Sequence, residues 1–234
     1  MPDQALTNEL KELLLRRGAG LVGAADLRGL EGCGYPAGIA VAIPLPPRVI
    51  RDLQTAPTAE YHALYHTMNQ ALNELVLAGE AFLKERGFDA WAQTTGRVKT
   101  DASRSTPLPH KTVAVRAGLG WIGKNCLLVT PEYGSAVRLS SLLTNAPLAC
   151  DAPVTESRCG GCRLCVDACP AQALTGAAWQ AGMPRQELVD VEACRAKQLE
   201  IMARCTGIQT DLCGKCFAVC AYTQKRMMRE DCHA

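Results

Sequence analysis

The sequence predicts an α+β protein in two domains, a mixed helix and strand domain over residues 1–145 and a small cysteine-rich domain over residues 146–234. Three observations predict it. The 234 residues hold 13 cysteines, but only Cys33 and Cys126 precede residue 145, whereas two regularly spaced cysteine runs occupy the last third. The first 145 residues carry enough apolar sequence to close a conventional core. Their helix-period and buried-strand runs alternate irregularly, without a βαβ repeat.

The first cysteine run is Cys159-x2-Cys162-x2-Cys165-x3-Cys169-Pro170. This is the bacterial ferredoxin spacing: three thiolates of a short loop wrap one [4Fe–4S] cube, and the fourth is carried away to a second cube. The pattern therefore requires a second group that returns one ligand and partners Cys169. Cys213-x2-Cys216-x3-Cys220 is such a group. Two cubes need eight thiolates and the runs supply seven; Thr210 stands where a repeat of the first run would place its leading cysteine. Cys194 and Cys205 are the candidates for the eighth. The expected arrangement is Cys159, Cys162, Cys165 and Cys220 on one cluster, and Cys169, Cys194, Cys213 and Cys216 on the other, with Cys205 as the substitute for Cys194. Zinc prefers two separated knuckles closing one tetrahedron, which four cysteines within eleven residues do not readily form. A disulfide scaffold needs an oxidising compartment, and 13 thiols do not pair off.

Along the first domain, Leu6, Leu10, Leu13 and Leu14 recur at helical spacing, and Gly18 to Gly20 end that helix. Leu21 to Ala25 reads as a short buried strand, Asp26 to Gly38 as a glycine-rich loop, and Ile39 to Ile43 as a second strand stopped by Pro44. Pro44, Pro46 and Pro47 read as a stiff turn. Thr58 to Arg86 is the strongest helix, with Tyr61, Leu64, Tyr65, Met68, Leu72, Leu75, Val76, Phe82 and Leu83 on one face. Each such side chain, if buried, contributes roughly 1.5–3 kcal/mol. His62 and His66 are one turn apart on it and read as a surface pair. Trp91 to Thr95 reads as a strand, His110 to Ala117 as a helix, and Leu127 to Thr130 and Ala136 to Leu142 as strands turned at Pro131 to Gly134. Residues 144–158 form the linker.

The formal net charge of +2 gives no global footprint for nucleic acid. The polar N-terminus and the lack of a long apolar run predict a cytoplasmic protein with no membrane partner. Residues 97–124 are locally basic, with six Lys and Arg against Asp101 alone. Within them, His110 to Asn125 holds three glycines in six residues: Gly118, Gly120 and Gly123. Glycines let a backbone approach another body closely, Trp121 between them offers a flat apolar face, and Lys124 can meet an anion. The spacing matches neither a Walker loop nor a dinucleotide fingerprint; a tight helix-to-strand turn with a core tryptophan is the structural alternative. The remaining cysteines, Cys33, Cys126, Cys150, Cys205 and Cys232, read as small buried hydrophobes, with Cys232 and His233 in a loose chain end.

Ala117-Gly-Leu-Gly-Trp-Ile-Gly-Lys124 followed by the Cys159–Pro170 run resembles epoxyqueuosine reductase and, more distantly, the reductive dehalogenases. The resemblance implies a nitroreductase-like first domain that binds cobalamin and a ferredoxin-like second domain with two [4Fe–4S] clusters, which pass electrons to the corrinoid cobalt. It places Arg116, Gly118, Leu119, Gly120, Trp121, Ile122, Gly123 and Lys124 against the corrinoid and makes Cys194 the preferred eighth ligand. Two departures stand out. The family's Asp-x2-Pro-x2-Glu-Arg pattern aligns its proline with Pro107, but Arg104 takes the aspartate position and His110-Lys111 replace Glu-Arg. The helical-repeat extension with which relatives hold tRNA is also not found in this sequence, which weighs against a tRNA substrate.

The leading expectation is a corrinoid-dependent reductase fed by a low-potential donor such as a ferredoxin or flavodoxin. His110 is its candidate proton donor because imidazole exchanges protons near neutral pH, with Lys111 and Asp101 behind it. A module or cobalamin reductase serving a separate corrinoid protein is the alternative from another class, and flavin in place of cobalamin is a third.

Overall fold

The structure, a computed structural model, describes residues 1–30 and 33–231. It divides into two compact units, each assembled from three separated stretches of chain. The first comprises Met1–Ile43, Thr67–Gly120 and Arg138–Val154; the second comprises Pro44–His66, Trp121–Val137 and the chain from Thr155 onward.

The first unit opens with helix α1 (Gln4–Arg16), capped by the Asp3 carboxylate, which accepts from the Leu6 amide at 2.9 Å. Strand β1 (Leu21–Asp26) pairs antiparallel with β2 (Ala37–Pro44), Leu21 opposite Ala42. Helix α2 (Pro47–Leu53) belongs to the second unit; helix α3 (Ala59–Lys84) follows it in the chain, and its residues from Thr67 on belong to the first. Strands β3 (Ala90–Ala92) and β6 (Val137–Thr144) pair antiparallel and complete a sheet ordered β1-β2-β6-β3. Leu10, Leu14, Ile39, Val76, Leu83 and Leu142, all fully buried, form the centre of its core. The helical spacing of the leucines and the unbroken apolar strand runs thus do what their periods demand.

Helix α4 (His110–Arg116) packs on β1. The contact is close enough that a Cβ on Gly23 would stand 2.5 Å from the Ala117 carbonyl oxygen. Asp151 ties the end of this unit back, accepting from Lys11 Nζ at 2.7 Å and from the Ala24 amide at 2.7 Å.

The proline run differs from its reading as a stiff turn. Pro46 is the N-cap of α2 and Pro47 its first residue. That position needs no amide hydrogen and favours the proline φ, so the ring starts the helix. The strand expected over Trp91–Thr95 is confined to three residues.

In the second unit, strands β4 (Trp121–Ile122) and β5 (Leu128–Val129) form a two-stranded ribbon. Short helices α5 (Leu164–Asp167) and α7 (Lys215–Ala218) touch each other, and α7 also packs against α2. Helix α6 (Val191–Thr206), which the cysteine spacing does not announce, is capped by Asp190 on the Ala193 amide at 2.9 Å and ends at Gly207 with φ +75°. Helix α8 (Ala221–Asp231) follows Cys220. No helix among the described residues is long and apolar enough to cross a membrane. Cys232 and His233 lie outside the described residues.

Candidate functional site

Each ferredoxin-type run becomes a loop followed by a single helical turn. Cys162 precedes α5 and Cys165 lies within it; Cys213 precedes α7 and Cys216 lies within it. Both helices close at once, so that Cys169 donates its amide to the Val166 carbonyl and Cys220 to the Phe217 carbonyl. The two Cys-x3-Cys turns are therefore near copies, and they pack against each other.

Cys159, Cys162, Cys165 and Cys220 line one cavity, together with Lys124, Asn125, Val129 and Tyr222. The Cys165 thiol is pushed up to about 11, first by burial and then by Cys220, Cys159 and Cys162. A second thiol group lies beside it. Burial, then Cys169 and Cys213, push Cys194 up to about 11. Cys216 is raised well above the ordinary thiol range by burial and by Cys213 and Cys194. Cys205 is exposed, eleven residues along α6 from Cys194. At 1.5 Å per residue that is about 16 Å, too far for both to serve one centre.

Buried thiols that repel one another's ionised forms are poorly suited to stand alone as thiolates. A cationic centre removes that cost, since it binds the deprotonated form and supplies the opposite charge. No three His, Cys, Asp or Glu side chains among the described residues close on a single ion. Four sulfurs ringing a cavity suit a larger polynuclear guest, and the donor set fits a [4Fe–4S] cube.

The β4–β5 ribbon presses on the first thiol group. The Trp121 indole N–H donates to Cys159 Sγ at 3.4 Å, and its ring meets Tyr222 edge-on at 4.8 Å. Lys124 Nζ donates to the Gly160 carbonyl at 2.8 Å. Gly123 leaves no room for a side chain: its Cβ would lie 2.6 Å from Val129 Cγ2 and 3.6 Å from Cys159 Sγ. Trp121, Ile122 and Lys124 are thus buried, with Trp121 and Lys124 beside thiols, so the tryptophan is the core residue of the structural alternative and not an open face. The other end of the glycine stretch belongs to the first unit. There Arg116 Nη1 donates to the Asp26 carbonyl at 2.8 Å, and Gly118 is exposed, with Ala152 O 2.7 Å from where its Cβ would be.

His110 sits at the start of α4, partly buried, with Nδ1 2.8 Å from Ser141 Oγ; Ser141 in turn donates to Gln93 Oε1. Burial, reinforced by Arg138, pushes its pKa down to about 4, so the ring is neutral at physiological pH. Asp101 is exposed and accepts from Ser103 Oγ and the Ser105 amide, and Lys111 is half-buried. His62 and His66 share a hydrogen bond at 3.1 Å. Sequence reasoning misses Thr223, Asn125 and the Ser141–Gln93 network; polar residues directly after Cys220 are the one signal that could point to the first of these.

A 4Fe-4S binding domain family matches residues 152–175. The chain is 44% identical over 112 residues to the epoxyqueuosine reductase of Listeria monocytogenes, covering 48% of this chain and 27% of that protein. It is 35% identical over 142 residues to that of Bacillus subtilis, covering 58% and 34%. These matches span about a third or less of the relatives' length. Among solved structures, an epoxyqueuosine reductase with a tRNA stem loop superposes with TM-score 0.64 at 23% identity, covering 94% of this chain and 66% of that one. A catabolic reductive dehalogenase in complex with 3-bromo-4-hydroxybenzoic acid superposes with TM-score 0.64 at 18% identity, covering 94% and 33%. The chain is therefore related in sequence to epoxyqueuosine reductases, shares its fold with them and with reductive dehalogenases, and carries a 4Fe-4S binding domain.

Proposed function

We propose that this chain is a two-cluster iron–sulfur oxidoreductase that delivers single electrons to a corrinoid. The observation that carries this reading is the crossing of the two cysteine runs, which gathers Cys220 with Cys159, Cys162 and Cys165, and leaves Cys169 with Cys194, Cys213 and Cys216. When bound, the clusters supply one-electron steps at potentials set by charge, hydrogen bonds and exposure. The residues hold the clusters, exclude water with Trp121, Val129 and Phe217, and shorten the route between the centres through the α5–α7 contact.

The likeness of fold to a reductive dehalogenase whose structure is said to suggest a mechanism for B12-dependent dehalogenation supports cobalamin as the acceptor. It also supports a nitroreductase-like character for the first unit. In this reading Arg116 and Gly118 to Gly120 lie toward the corrinoid, while Trp121 to Lys124 serve the cluster side. A low-potential donor protein in the cytoplasm completes the chain of transfer.

One observation favours cobalamin reduction for a separate corrinoid protein over a complete reductase. Arg104 replaces the family's acid, and His110 is neutral, so neither offers an acidic proton at pH 7. Reduction of cobalt to Co(I) consumes electrons alone and needs no such donor.

The test is anaerobic purification with iron, sulfide and cobalt quantified, followed by absorption spectra after adding hydroxocobalamin and a low-potential reductant. About eight irons per chain, with Co(I) formed, support the reading. Tight stoichiometric corrinoid favours the reductase, and turnover without retention favours the module. Eight irons with no reaction of the corrinoid leave an electron carrier, and a yellow protein that releases flavin replaces the corrinoid altogether.

A further inference from the structure

Two buried side chains of the second unit face the Cys159 thiol group without being needed as ligands. Trp121, 1% exposed, donates its N–H to Cys159 Sγ. Lys124, 8% exposed, lines the same cavity, and its hydrogen-bond partner is the Gly160 carbonyl. Lysine is almost never buried without a reason in charge. A neutral carbonyl does not cancel the ammonium, so its field reaches the cavity at low effective dielectric. Cys220, in the same group, accepts further hydrogen bonds from the Tyr222 and Thr223 amides and the Thr223 hydroxyl.

The Cys169 group is less well provided. Cys213 accepts from the Lys215 amide, and Gln198 Nε2 reaches Cys194 Sγ at 3.6 Å. The Lys215 charge also acts on Cys213, from a partly buried side chain whose Nζ donates to the Gln54 carbonyl, so the difference between the groups lies chiefly in the donors to sulfur. Each added electron increases the negative charge on a cube and its sulfurs. Donors to sulfur and nearby cations stabilise the reduced form more than the oxidised one, which raises the potential.

Resting on the two-cluster reading above, we propose that Trp121 and Lys124 hold the Cys159 cluster at a higher potential than the Cys169 cluster, so that a single electron settles on the Cys159 side. The donor, a low-potential one-electron protein, is oxidised by one electron and the cluster reduced by one; no proton moves and no bond changes.

Potentiometric titration followed by EPR tests this on the anaerobic full chain, as wild type and as Trp121→Phe, Lys124→Met and Gln198→Leu. Phenylalanine keeps a ring against Tyr222 while removing the N–H. Wild type is expected to show two waves. Trp121→Phe and Lys124→Met should each lower the upper wave, up to about tenfold in favour of the oxidised form or ~59 mV for a one-electron couple, and leave the lower wave in place. Gln198→Leu should move the lower wave alone, and Lys124→Arg, which keeps the charge, should restore the upper one. Unchanged waves at full iron content, or movement of the lower wave by the Trp121 and Lys124 substitutions, overturn the proposal. Fewer than about eight irons in wild type overturns the two-cluster reading itself, which the iron count separates from failure of the tuning.

Discussion

Cys220 follows Cys216 by four residues, yet the two thiols belong to different groups: Cys220 lines a cavity with Cys159, while Cys216 is crowded by Cys213 and Cys194. One helical turn would stack residues four apart on the same face. Here α7 closes at Ala218, and Cys220 leaves its axis. The turn after Cys165 closes in the same way, so each run sends its last thiol away from the others.

Cys194→Ser should therefore cost about four of eight irons, whereas Cys205→Ser should keep all of them, because an exposed thiol about 16 Å along α6 cannot replace the first. Iron and sulfide quantification after anaerobic reconstitution decides this. Equal iron in both variants would remove Cys194 from the ligand set.

Gly134 adopts φ +61°, and a Cβ there would lie 2.2 Å from the Thr223 amide nitrogen. Gly134→Ala combines backbone strain with a clash against backbone that cannot yield. A loss of at least about 2 kcal/mol in stability is expected. Since Thr223 donates to Cys220, iron content should fall as well. A melting curve and iron count identical to wild type would show that the turn relaxes freely.

His110 is depressed from 6.5 to about 4 in the folded protein. The unfolded chain binds its proton below about pH 6.5 and the folded one only below about pH 4, so stability falls as pH drops through that window and levels off beneath it. The local slope should approach about 1.4 kcal/mol per pH unit. Amide exchange of α4 and β6 at pH 7, 6 and 5 measures it, and His110→Asn should flatten the profile.

Because clusters bind only deprotonated, assembled thiols, their loss should loosen the second unit first. Limited proteolysis after exposure to air should cut between 155 and 231 while the core around Leu10, Ile39 and Leu142 resists. Simultaneous cleavage of both units would show that the first does not hold its fold alone.

Much of this was legible in the chain. Leu6, Leu10 and Leu14, the Ile39 strand and the long helix through Leu72 and Leu83 are governed by local period and burial, which any window of sequence displays. The spacing from Cys159 to Cys169 dictates that one thiol must leave its neighbours, since a short loop can wrap one cube with only three. Other features were not legible, because they depend on residues far apart in the chain. Pro47 as a helix start needs the backbone that follows it, and the depressed His110 needs the burial provided by its surroundings and Arg138.

What the sequence by itself determined, then, is the donor chemistry: seven cysteines in spaced runs, two candidates for an eighth, and a glycine stretch that lets backbone come close. What only the tertiary structure decided is which thiols meet, and that Trp121 and Lys124 turn toward Cys159. Ligand identity is a property of residue type and short spacing. Ligand partnership, burial and the field at a sulfur arise from groups brought together across some 35 to 60 residues of intervening chain, which only packing can do.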